Sequence, residues 1–189
     1  MKRFFFRRSE QRNSKAGMTL IELLMAMSVA AIGLTAITGL FVTAIASNSR
    51  AKRDTTATLL SQSVMEQILL AGTNNAANIP MTDCLGNAFN LSTLGAAGAG
   101  AGAAVNASGD ISFAAGAPGN GYSMNFNVCR ANGQTMLFDV RWNVLDMDVS
   151  GVNVLTRLVR VSAAPVGTND AKFFVAPITL RGIASVAQD

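Results

Sequence analysis

The chain reads as an α+β protein in which a long N-terminal helix packs on a four-stranded antiparallel sheet. Three patterns predict this. Residues 23–46 carry no charged side chain. Beyond them Ala57, Leu60, Val64, Ile68 and Ala71 recur at spacings of three and four, one apolar stripe on a soluble helix. From Gly121 onward the apolar period changes to two, the pattern of half-buried strands.

The N-terminal element comes first. A basic leader ends in Lys15-Ala16-Gly17, and Met18-Thr19-Leu20-Ile21-Glu22 opens the charge-free run. As a helix, 24 such residues span ~36 Å, enough to cross a hydrocarbon core of ~30 Å. A carboxylate at membrane depth costs about 2.5–3.5 kcal/mol on insertion scales, so Glu22 needs a reason. Lys2, Arg3, Arg7, Arg8, Arg12 and Lys15 against Glu10 give residues 1–17 a net charge of +5. Subtracting this from the whole-chain +4 leaves −1 for the remainder. The sequence pI of 9.6 is therefore a targeting feature, and no nucleic-acid surface is expected. Six basic residues before the run outweigh Arg50, Lys52 and Arg53 after it. This bias predicts a cytoplasmic leader and an exported remainder. Two other readings compete. A secretory signal peptide would use Ala44-Ile45-Ala46 as its cleavage site, but its apolar core typically runs about 7–15 residues. An ordinary single-span anchor accounts for the length but not for Glu22 or Gly17.

Gly17-Met18-Thr19-Leu20-Ile21-Glu22-Leu23-Leu24 resembles the class III signal of type IV pilins and type II secretion pseudopilins. The resemblance covers residues 15 to about 70. It implies a pilin-like fold, cleavage after Gly17 by a membrane prepilin peptidase, and N-methylation of the new terminal residue, Met18. It also implies assembly with other pilin or pseudopilin subunits through an inner-membrane platform, with Glu22 in an assembly charge pair. Glu22-Leu23-Leu24-Met25-Ala26 followed by Ile32-Gly33-Leu34 is similar to V-type minor pilins, the type IV pilus modification proteins, and to I-type pseudopilins. The length of the chain favours the V type. The expected function is thus a non-enzymatic minor pilin precursor that primes or modifies a type IV pilus. The alternatives are an I-type pseudopilin and an anchored periplasmic binding domain that never assembles. The expected location is the inner membrane, with the head periplasmic, and then the filament.

The expected boundaries are a leader at 1–17, a membrane or filament-core helix at 18–46 and an amphipathic half-helix at 47–72. An irregular connection at 73–121 and a β head at 122–189 follow. No proline occurs before Pro80, and Gly72 with Thr73, Asn74 and Asn75 makes a helix stop. Gly33 and Gly39 each cost about 1 kcal/mol relative to alanine in a soluble helix. In lipid they allow close helix packing, and the resemblance adds a place where the helix stretches on assembly. Leu94–Ala104 is nearly all glycine and alanine, which predicts a flexible surface loop rather than a packed element. Tyr122, Met124, Phe126 and Val128 alternate with polar residues. Asn132-Gly133 is a strong hairpin signal. Phe138, Val140, Trp142 and Val144 alternate with Leu137, Asp139, Arg141 and Asn143, and Asp146–Gly151 reads as a turn. Val154–Val161 and Phe173–Leu180 complete a four-strand meander, with Pro177 marking an edge.

Few residues offer catalytic chemistry. The chain has no histidine, which removes Ser-His-Asp and Cys-His systems and most zinc sites. The glycines of 95–102 lack the Lys-Ser/Thr ending of a phosphate loop. Asp146, Asp148, Ser150 and Gly151 match the first half of a calcium loop, but Arg157 stands where its bidentate acid belongs. A polar turn is the simpler reading, and neither metal nor cofactor is expected. Cys84 and Cys129 are the two cysteines, and outside the inner membrane they are expected to bridge.

Overall fold

The structure is a computed structural model that describes residues 17–73, 77–119, 121–131, 133–148, 154–167 and 177–187. It divides into two units, residues 1–47 and 48–189. Helix α1 (Leu20–Thr73) contributes to both.

In the first unit the helix presents apolar side chains all round: Leu20, Met25, Ile32, Leu40, Phe41 and Ile45 are all exposed. Four of its hydroxyls are satisfied internally. Ser28, Thr35, Thr38 and Thr43 each donate to a main-chain carbonyl three residues earlier, at 2.8–2.9 Å. A helix with every backbone and hydroxyl group paired within itself can sit in hydrocarbon, where water is not at hand. By length and composition it is apolar enough to cross a membrane, and it fits a single-pass anchor.

The second unit holds the core. Here α1 buries Leu60, Val64, Ile68 and Ala71, the predicted stripe, with Ala57 half-buried beside it. Two sheets follow. Strands β1 (Asn78–Thr82) and β2 (Ala88–Ser92) form an antiparallel hairpin. Strands β3 (Ala101–Gly102), β4 (Ser123–Cys129), β5 (Thr135–Asp148), β6 (Val154–Pro165) and β7 (Thr179–Ala187) form the main sheet. The meander β4–β5–β6–β7 is antiparallel throughout. Because β5 is 14 residues long, one of its edges serves two neighbours. β4 pairs with its first half and β3 with Asn143 and Val144. The α+β arrangement is thus the predicted one, with five strands in place of four.

The alternating apolar residues share one face. Phe138, Val140, Trp142 and Val144 of β5 are wholly buried, and Met124 and Phe126 join them from β4. Register places Val161 beside Trp142, and Val159 beside Val144. In β7 the residue aligned with Val159 is Gly182. A methyl group there would lie 2.9 Å from Leu69 Cδ1 and 3.0 Å from Met65 Sδ, so the helix rests almost directly on the strand backbone.

Four expectations are corrected. Residues 73–121 are not irregular throughout, since they contain β1, β2 and β3. The Gly/Ala tract is packed: Ala103 is buried, and its N–H donates to the Trp142 carbonyl at 2.9 Å. Ala96 bridges to Leu145. Strand β5 runs on to Asp148 where a turn was expected from Asp146. The last strand is Thr179–Ala187, later than the predicted 173–180, because its inward residues are as small as Gly182 and Ala184 and leave no apolar alternation. It does lie at the sheet edge, just after Pro177. The leader through Ala16, Asn74, Asn75, Asn132, residues 149–153 and residues 168–176 lie outside the described residues.

Candidate functional site

The start of α1 is built from Thr19 and Glu22. Thr19 precedes the first helical residue, and the Glu22 N–H points at its hydroxyl oxygen at 3.4 Å. The Thr19 hydroxyl in turn lies 3.4 Å from Glu22 Oε2. Backbone N–H of Leu23 donates to the Thr19 carbonyl at 3.1 Å. Thr-x-x-Glu is the sequence form of a capping box, in which side chains at the first cap position and the third helical position satisfy the orphan N–H groups of the first turn. Here only the Thr19 half is made, at a distance long for a hydrogen bond, and the Glu22 carboxylate meets the Thr19 hydroxyl rather than a backbone N–H. An acid in the first turn also lies well with respect to the helix dipole.

Gly17 and Met18 precede this cap and are exposed, with open space around the Gly17 α-carbon. The bond between them therefore lies on exposed chain ahead of the helix. Cleavage there would leave the Met18 amine four residues from Glu22.

Residues 12–38 match the family model described as the prokaryotic N-terminal methylation motif. This match supports a type IV pilin-like protein. No curated protein and no solved structure matches the chain. The motif implies processing by a prepilin peptidase and assembly with other pilins, and it points to a structural subunit rather than an enzyme.

The cysteines lie in the second unit. Cys84 and Cys129 are bonded, with Cα atoms 5.8 Å apart and a sequence separation of 45. The bond ties the β1–β2 turn to the end of β4. Beside it, the Asp83 carboxylate accepts from the Leu85 and Asn87 N–H groups at 3.0 and 2.8 Å. It also accepts from the side-chain amides of Asn87 and Asn127, both at 2.8 Å. Burial alone would raise the Asp83 pKa, but these donors outweigh it and hold the carboxyl well below its ordinary range. Covalent bond and ionic knot thus fasten the same two elements.

The polar face of β5 is covered as well. Arg141 is 7% exposed and forms an ion pair with Asp139 at 2.8 Å. It also donates to the Ala115 carbonyl at 2.7 Å and lies 4.9 Å over the Phe113 ring. Asn143, 2% exposed, donates to the carbonyls of Ala99 and Ala103 and accepts from Arg160. Asp146 pairs with Arg157 at 2.8 Å, opposite it in the ladder. The half calcium loop therefore begins inside a strand with its first acid already neutralised. Among the described residues no cluster of three metal-ligating side chains occurs.

Proposed function

We propose that the chain is a minor pilin precursor, cut after Gly17, N-methylated on Met18 and assembled into a type IV pilus that it primes or modifies. In this reading 1–17 is the leader, 18–46 the filament-core segment, 47–72 the amphipathic half-helix and 73–189 the outward head. The head faces the periplasm before assembly. The observation that carries the proposal is the Gly17-to-Glu22 segment opening an exposed apolar helix whose Ser28, Thr35, Thr38 and Thr43 hydroxyls are satisfied internally. The freed Met18 amine of one subunit pairs with Glu22 of a staggered neighbour. Each charge left alone among helices and lipid would cost several kcal/mol, and docking recovers much of this, so axial register is favoured. Mass spectrometry of sheared filaments should find a methylated Met18 terminus, and Glu22→Ala should be cleaved normally yet disappear from those filaments. A mature terminus at Ser47, or normal incorporation of Glu22→Ala, overturns the reading. Type II secretion subunits in place of pilus subunits among the co-purifying proteins would identify an I-type pseudopilin instead.

A further inference from the structure

Just past the apolar run the chain turns basic. Lys52 and Arg53 stand six and seven residues after Ala46, on the part of α1 that belongs to the second unit. The turn between β4 and β5 brings a third cation beside them. Arg130 lines one cleft with Arg53, Gln134, Met136 and Val166, and another with Lys52, Thr55 and Ala131. It therefore stands between the two helix cations. Neither cleft is lined by an acid among the described residues. Asp54 lines a separate crevice with Ala57 and Ala163.

Arg130 is held firmly at this place. It follows Cys129 of the disulfide. Its N–H donates to the Gln134 carbonyl at 2.8 Å, and its carbonyl accepts from Gly133 at 3.0 Å. Gly133 takes the left-handed conformation that this tight turn requires (φ 78°).

We propose that Lys52, Arg53 and Arg130 form a seat for the anionic headgroups of membrane phospholipids. The argument for this occupant has three parts. A membrane-length apolar segment ends six residues before the first of the three cations. The residues after the leader sum to −1, so three convergent cations without an acid are a local departure from the rest of the chain. Lysine and arginine have long apolar stems that lie along a surface while their charges reach phosphate. Basic residues just outside a membrane span also run against the usual inward bias, so they need a use on that side. The proposal rests on the membrane-anchor part of the reading above, not on filament assembly.

The test uses the full-length chain in lipid nanodiscs, followed by hydrogen exchange. With roughly a third phosphatidylglycerol, the amides of Arg130 to Thr135 should exchange several-fold more slowly than in phosphatidylcholine alone. High salt should remove the difference, since exposed charges are screened. Lys52→Gln, Arg53→Gln and Arg130→Gln together should remove it too, with β6 amides such as Val161 unchanged as a control for folding. Equal exchange in both kinds of disc, or a triple variant that still responds to lipid charge, overturns the proposal. The assay needs no peptidase and no filament. A chain that shows lipid-dependent protection but never assembles counts against the proposed function alone.

Discussion

The two faces of strand β5 are covered in opposite ways. On one face Phe138, Val140, Trp142 and Val144 meet the helix stripe and the hairpin, side chain against side chain. On the other, Arg141 and Asn143 are also buried, under a tract that is mostly glycine and alanine and covers them largely with its main chain, with the Phe113 ring over Arg141. Burial by side chains excludes water through apolar area. Burial by backbone supplies carbonyls, so the residues beneath must be donors. An arginine and an asparagine under a Gly/Ala cover are therefore as consistent a choice as a tryptophan under a helix.

Breaking the apolar side should have the larger effect. Trp142→Ala removes the largest wholly buried side chain and the indole N–H that donates to the Ser92 carbonyl at 2.8 Å. Chemical denaturation of the variant should show a loss of about 3–5 kcal/mol. The backbone side breaks through its glycines. Gly102 has φ 103°, and a methyl group there would lie 2.5 Å from the Trp142 carbonyl oxygen. Gly102→Ala should cost roughly 2–3 kcal/mol in the same experiment, whereas Gly116→Ala, with open space around it, should stay within about 0.5 kcal/mol. If Gly102→Ala behaves like Gly116→Ala, the cover is not packed as described.

The smallest effect concerns acid. Asp83 titrates below its unfolded value of about 3.9, so its contribution is fully present above that pH and is lost only as pH falls through the lower folded value. Hydrogen exchange of the Leu85 and Asn87 amides should therefore stay slow down to about pH 3, and Asp83→Asn should lose this protection at every pH. Fraying of the wild-type turn near pH 4 would show that the carboxylate is not held by these donors.

The apolar side was legible in the sequence and the backbone side was not, for a reason common to both. The helix stripe from Leu60 to Ala71 and the alternation in β4 and β5 stand out because side-chain cover leaves bulk at regular intervals. Backbone cover requires the absence of bulk, and Leu94–Ala104 then looks like a linker. The same absence hid β7, whose Gly182 lies under Met65 and Leu69. The β1–β2 hairpin had a signal that was passed over. Ile79 and Met81, then Phe89 and Leu91, alternate across a turn that contains Gly86, but the strands are short and Pro80 interrupts the first. Pro80 is tolerated because a two-stranded hairpin is all edge. At the N-terminus the methylation motif was readable residue by residue, while the Thr19 hydroxyl facing the Glu22 N–H was not.

The bond between Cys84 and Cys129 closes a ring that contains β2, the whole Gly/Ala cover and nearly all of β4. A protease that nicks an exposed point of the cover, such as Ala97 or Ala107, opens that ring without dividing the molecule. Both products remain one covalent piece, and neither end of the cut belongs to the helix or to the central strands β5 and β6. The chain can thus be cut in its cover and still be held together by the disulfide and the sheet.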